Sequence, residues 1–326
     1  MNYFSKTTEK FFKLGYLYIQ GGSLGSEIGE DKKKYDIELL ESLIDNGLYE
    51  ESLSFINRSI TKYADISLKY LKGKVYYLMG KFDDAITELS SVIAEDSDSW
   101  ETYELLGEIF RIRNQTEIAE NYYFKSTSLN PRATQSWLGR GKLAMARGEF
   151  QVAVLSFETY LRTKNEDIEV WKLLGRSYKE LENFVSAVDA YNDAIELEPT
   201  NQELYEELGD LYLFMGHEDV AKDKYLQAMQ VEEKTRPVNA AIYNKLSRLY
   251  LSEGNIQKAF NLCNELLTLV KDNDEALFIS GKALIKMGQR YEGTVRVKKA
   301  FEISNKQEYK DYLNELDEEL YGPKYV

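Results

Sequence analysis

One cysteine, Cys263, and one histidine, His217, are the whole supply of each residue in 326 positions. A single thiol excludes an intrachain disulfide framework and a thiolate zinc site, and it suits a reducing compartment. A single histidine allows at most one nucleophile–histidine arrangement, and no Ser/His/Asp or Cys/His triad can be assembled around it. Prolines number four, and strand-like alternation is scarce, so helix is the default reading. Positive charge is in deficit, with 41 Lys and Arg against 55 Asp and Glu and a net charge of −14. That balance repels phosphate backbones and anionic membranes, which excludes nucleic acid and membrane partners and leaves room for a basic peptide or a local basic patch. Long apolar runs are missing too. The N-terminal run Phe11 to Ile19 is broken by Lys13, cannot span a bilayer and makes a poor signal peptide. The expected location is cytoplasmic, so the sequons at Asn57 and Asn114 carry no meaning.

What is present is a core and a period. Hydrophobic residues make up 43% of the chain, enough to argue against disorder. Gly73, Gly107, Gly141, Gly175 and Gly209 recur every 34 residues, and Ser247 and Gly281 continue the series after steps of 38 and 34. Ala85, Ala119, Ala153, Ala187, Ala221, Ala259 and Gly293 follow the same steps, with Ser52 extending them backwards. A third series is aromatic: Tyr103, Trp137, Trp171, Tyr205 and Tyr243. A fixed period in this range signals a repeat array. Each unit reads as a first helix, a turn often marked by glycine (Gly80, Gly148, Gly216, Gly254, Gly288), and a second helix. Ala187, Tyr191 and Ala194 put one apolar stripe on the second helix. Pro131 and Pro199 stop two units.

Residues 168–201 match the tetratricopeptide repeat pattern at Trp171, Leu174, Gly175, Tyr178, Ala187, Tyr191, Ala194 and Pro199, and the chain resembles that family over residues 33–305. Eight units are expected, near 33–65, 66–99, 100–133, 134–167, 168–201, 202–239, 240–273 and 274–305. The first is degenerate, with Leu40 and Ser52 at the small places, and the last has Gly293 and Val297. The resemblance implies an all-α, right-handed superhelical solenoid whose first helices line the concave side. Residues 1–32 are expected to be an N-terminal helix (7–20) and a loop (21–34 in the sequence "GGSLGSEIGEDKKK"). Residues 306–326 are expected to be a capping helix and tail, with Tyr309, Tyr312, Leu313, Leu316 and Leu320 on one stripe. Four extra residues within 232–241, including Pro237, either lengthen a helix or a loop or change the superhelical path.

Glycine inside a helix costs about 0.5–1 kcal/mol relative to alanine, so its recurrence needs a packing reason. The expected reason is that Gly175 faces Ala187, letting two backbones approach. Gly175→Leu or Ala187→Leu would then overpack the crossing by about 1–3 kcal/mol.

No catalytic, metal or cofactor site is expected. His217 reads as a solvated turn residue and Cys263 as a small core hydrophobe. The glycines at 21–29 match no phosphate-binding loop. Counting places from the start of each unit, the second, fifth, ninth and twelfth places of the first helix should face the groove. They give Glu101, Glu104, Glu108 and Arg111; Gln135, Leu138, Lys142 and Met145; Glu169, Lys172, Arg176 and Lys179; Glu203, Glu206, Asp210 and Leu213. The candidate peptide-binding residues are Lys142, Lys172, Arg176, Lys179, Glu104, Glu108, Glu206 and Asp210. Lys172, Arg176 and Lys179 read either as a band for an acidic peptide, with Arg176 as bidentate ligand, or as plain surface pairing of Glu169 with Lys172 and Arg176 with Glu180. The alternating bands could also bind one another between molecules, giving a homo-oligomer. The family's carboxylate clamp is absent: the nearest partial match, from Lys172 and Arg176, meets Glu207 where asparagine is needed. The expected function is a non-enzymatic scaffold or adaptor binding a protein or peptide segment in the groove. The alternatives are a self-assembling structural protein and a regulatory subunit of an enzyme complex.

Overall fold

The computed structural model describes residues 27–63, 65–231 and 238–321. The expected helix over 7–20, most of the four-residue insertion and the last five residues lie outside them. Among the described residues every regular element is a helix. The chain divides into two compact units, residues 1–139 and 140–326.

The first unit contains α1 (Glu27–Asp45), α2 (Tyr49–Tyr63), α3 (Ile66–Leu78), α4 (Phe82–Glu95), α5 (Trp100–Ile112) and α6 (Thr116–Leu129), and α7 (Thr134–Ala146) runs across its boundary. The second contains α8 (Phe150–Leu161), α9 (Ile168–Glu180), α10 (Phe184–Leu197), α11 (Gln202–Phe214), α12 (Glu218–Gln230), α13 (Ala240–Ser252), α14 (Ile256–Leu269), α15 (Asp274–Lys286), α16 (Arg290–Ser304) and α17 (Gln307–Tyr321). Residues 27–34, expected as loop, are helical.

The punctuation of the repeat is chemical. An Asp or Asn stands immediately before most first helices, and Asp65, Asp167, Asn201, Asn239 and Asn273 each accept from a free N–H of the first turn. Place 15 of each complete unit is left-handed, which ends the first helix. Gly216 takes this conformation freely at φ 78°. Asn114 and Glu182 occupy the same place with side chains, Glu182 at a steric cost of about 1 kcal/mol.

The core runs from repeat to repeat within each unit. Ala187 and Tyr191 on α10 pack with Leu208 and Leu211 on α11, and Tyr225 on α12 packs with Ile242 and Leu246 on α13. In the first unit Ala85 and Leu89 meet Leu106 and Ile109 in the same way. Each such large side chain contributes about 1.5–3 kcal/mol on burial.

The recurring glycine has a different partner from the one expected. A Cβ on Gly175 would lie 2.9 Å from the ring of Tyr191, not against Ala187. Gly107 meets Tyr123, Gly141 meets Phe157 and Gly209 meets Tyr225, at 2.4–2.6 Å. The glycine therefore makes room for the aromatic ring at place 24. In the 66–99 repeat Gly73 makes the same room for Leu89, and the two repeats from 240 onward solve the crossing otherwise. Ser247 and Cys263, both buried, replace glycine and ring with two small side chains. At Gly281 a Cβ would lie 2.8 Å from the carbonyl oxygen of Gly293, so here alone among these crossings two glycines let the backbones meet.

At the C-terminal end Tyr309 is buried, stacks on Phe278 with centroids 4.2 Å apart and donates to Asp274 at 3.0 Å. Leu316, two turns further along α17, is also buried on the predicted stripe.

Candidate interaction surface

The polar places of the first helices are joined by a ladder. In the second unit, Lys172 at place 5 of its repeat reaches Glu203 at place 2 of the next, at 2.9 Å. Arg176 at place 9 holds Glu207 at place 6 of the next repeat through both ends of its guanidinium, with Nε to Oε2 at 2.9 Å. Asp210 at place 9 accepts from Lys245 at place 6 of the following repeat at 2.7 Å. Asn244 at place 5 donates to Glu275 at place 2, at 3.4 Å, and Arg248 donates to the same carboxylate at 2.5 Å. The commonest offset is to the place three lower in the next repeat, while Arg248 at place 9 reaches place 2 and Arg176 also approaches Glu203 at place 2, at 3.8 Å. Because neighbouring first helices lie side by side with this stagger, Arg176 faces Glu207, 31 positions away, and the expected Arg176–Glu180 pair does not form. The expected pair of Lys172 with Glu169 does form, at 3.0 Å.

Burial fixes these charges. Lys172 is 6% exposed. Burial alone would weaken its proton affinity, but Glu203 and Glu169 outweigh it and leave its pKa raised. Bonding to Glu207 likewise raises that of Arg176. Tyr191 donates to Glu207 at 2.9 Å, and burial followed by that carboxylate pushes its hydroxyl pKa far up. Tyr225 donates to Asp210 at 2.6 Å, and in the first unit Tyr123 donates to Glu108 at 2.7 Å. The ring that needs the glycine thus carries a hydroxyl that anchors an acid of the ladder. The sequence contained the signal: tyrosine at place 24 accompanies an acid at place 9 or at place 6 of the next repeat.

The other candidate residues fall in place around this ladder. Glu206 accepts from Lys245 and Asn239, both at 2.7 Å. In the first unit Glu104 accepts from the backbone and hydroxyl of Ser136, at 3.0 and 2.9 Å, and burial raises its pKa nonetheless. Glu108 is also held by Arg111. Lys179 lies over the ring of Phe214 at 5.4 Å, and Phe214 is 63% exposed.

Lys142 is the exception. It is exposed on α7 at place 9, and its rung partner by the same stagger is Leu173, which cannot accept a hydrogen bond. The rung is open. Lys245, Asn244 and Arg248 lie beyond the four-residue insertion, outside the four repeats whose groove places the sequence pattern supplied.

Cys263 is buried, and burial raises its thiol pKa to about 11, so it stays protonated and inert at neutral pH. His217 is exposed at the start of α12. No group of metal-ligating side chains is found among the described residues, and none of their helices is long and apolar enough to cross a membrane.

Known proteins share this repeat. Residues 168–201 and 68–99 each match models of the tetratricopeptide repeat. The chain carries tetratricopeptide repeats. It is 25% identical over 259 residues to Superkiller protein 3 of Schizosaccharomyces pombe, covering 74% of this chain and 19% of that one. It is 22% identical to the TPR repeat-containing protein YpiA of Bacillus subtilis, covering 68% and 52%. This tetratricopeptide chain therefore spans about a fifth of the first relative and about half of the second. A crystal structure of a tetratricopeptide repeat protein from Parabacteroides merdae matches the all-α repeat fold with a TM-score of 0.50 at 18% identity, covering 76% of this chain and 97% of that one. Such repeats serve as protein-interaction scaffolds, and the resemblance supports that role here.

Proposed function

We propose that this chain is a non-enzymatic scaffold that holds a segment of a partner protein on the first-helix face of its repeats, with Lys142 at the contact. The supporting observation is the open rung at Lys142 and Leu173. Lys172, Arg176, Glu206 and Asp210 already have partners within the chain, so an incoming carboxylate would have to displace Glu203 or Glu207, and an incoming cation Lys245. At Lys142 it would meet an exposed ammonium whose place three lower in the next repeat holds Leu173, not an acid. Lys179 offers a second cation beside the exposed Phe214 ring. The partner segment is therefore acidic, with an apolar residue for Leu173 or Phe214.

The test places a photo-crosslinking residue at Gln135, exposed on α7 near Lys142, and identifies captured chains by mass spectrometry. The reading expects a captured protein whose acidic segment carries the crosslink, and its loss in Lys142→Glu with an unchanged helical spectrum. Capture that survives Lys142→Glu and Lys179→Glu together would overturn it.

A further inference from the structure

A second recognition feature lies roughly 120° around α9 from the ladder, by the helical advance of 100° per residue. A cavity of about 660 Å³ opens between α8, α9 and α10, lined by Trp171 and Tyr178 together with Glu158, Asp189, Asp193 and Arg162. Its origin is legible in the repeat register. In the 100–133 repeat, Tyr122 at place 23 stacks on Phe110 at place 11, with centroids 5.3 Å apart, and lies 6.2 Å from Tyr103 at place 4. In the 168–201 repeat those three places are Ala190, Tyr178 and Trp171. Alanine leaves uncovered the two rings that a tyrosine covers in the earlier repeat.

The walls carry three carboxylates against one cation. Glu158 accepts the hydroxyl of Tyr178. Asp189 and Asp193 are exposed on α10 and form no ion pair with a described residue. Burial and the neighbouring Glu196 and Asp189 raise the pKa of Asp193, so its charge sits among like charges without compensation. The indole N–H of Trp171 is already bonded to the carbonyl of Asn165 at 2.8 Å, which fixes the ring in place.

We propose that this cavity receives an arginine side chain of a partner protein, its guanidinium lying against Trp171 and donating to Asp189 and Asp193. An aromatic floor with acidic walls suits a planar, weakly hydrated cation that stacks and donates from the same plane. The inference rests on the scaffold reading, because it names a side chain of such a partner, but it uses a different face and a different charge.

The probe is Nα-acetyl-L-arginine amide, titrated into the full chain while the indole N–H signals of Trp100, Trp137 and Trp171 are followed by nitrogen-15 NMR. The uncharged isostere Nα-acetyl-L-citrulline amide is the control. The expected result is a saturable shift of the Trp171 signal with arginine and a response at least about fivefold weaker with citrulline, as loss of the ionic contact requires. Asp193→Asn should weaken arginine binding by about two- to fivefold, the range for one exposed charge. Ala190→Tyr, which restores the filled arrangement of the earlier repeat, should abolish the shift. Equal responses to both probes, no saturable shift at Trp171, or full binding by Asp193→Asn would overturn the assignment. A silent Trp171 signal combined with partner capture at Gln135 would remove this inference and leave the scaffold reading standing. A Trp171 response combined with crosslinks that survive the lysine reversals would do the opposite.

Discussion

The rung at Arg176 and the rung at Lys142 occupy the same place of successive repeats and behave differently. Arg176 faces Glu207, is bonded through two nitrogens and shares that acid with the hydroxyl of Tyr191. The place three lower in the repeat after Lys142 is Leu173, which offers no acceptor, and the residue at place 24 of its own repeat is Phe157, which has no hydroxyl to offer. A charge on the first-helix face is available to a partner only where the next repeat fails to answer it. The count of basic residues therefore misleads: the repeat with three of them has two engaged, and the preceding repeat presents a free one.

The largest expected effect comes from destroying the closed rung. Glu207→Ala leaves a half-buried guanidinium and a buried tyrosine hydroxyl without their acceptor, and should destabilise the α9–α11 region by about 2–3 kcal/mol in hydrogen exchange. Gly175→Leu follows, because the new side chain must displace the Tyr191 ring that anchors the same rung. The cost should be about 1–3 kcal/mol, and Gly175→Ala should be tolerated better when Tyr191 is replaced by cysteine, as the small pair Ser247 and Cys263 shows at the same places. An unchanged melting temperature for Gly175→Leu would contradict the packing account.

Closing the open rung is the informative gain. Leu173→Glu places a carboxylate opposite Lys142 and should recover a few tenths of a kcal/mol in ion pairing, near the upper end of about 1 kcal/mol only if the geometry is ideal. It loses some of Leu173's partial burial, so the stability change is small, while capture of an acidic partner should fall as in Lys142→Glu. The smallest effect is expected at Asp193, where no rung exists. Its folded pKa is raised, so the folded state holds the proton more tightly than the unfolded one. The penalty is present once the pH exceeds the folded value and disappears as the pH falls below the ordinary 3.8. Asp193→Asn should thus match the parent protein at low pH and be slightly more stable at pH 7, by about 0.5 kcal/mol or less at so exposed a site.

The repeat was legible in the sequence because core places are periodic and chemically uniform: Trp171, Gly175, Ala187 and Tyr191 recur in kind from unit to unit. The partner of Gly175 was not, because a spacing shows that a small residue is needed without showing which neighbour needs it. Ala187 and Tyr191 lie on the same helix face, and only the geometry separates them. The ladder was missed for a related reason. Pairing on one helix is visible at a separation of three or four, which is why Lys172 with Glu169 was foreseen. Pairing between helices needs the stagger, and the stagger follows from how neighbouring repeats settle, not from either helix alone. Once known, it can be read back: Lys172 to Glu203 and Arg176 to Glu207 share one offset of 31 residues. The start of α1 was not legible, because Gly25 and Gly29 mark a loop in the sequence while the helix begins at Glu27.

The claim that this face is organised by inter-repeat rungs is tested most directly by a double-mutant cycle on one of them. Arg176→Met and Glu207→Gln remove charge while keeping most of the volume. The two single variants and the double should show a coupling of about 1 kcal/mol or more in the unfolding of the second unit, because each partner's loss matters chiefly while the other is charged. Strictly additive effects, with no coupling, would mean that the bridge contributes nothing to holding the repeats together, and Arg176 would return to the set of charges available to a partner.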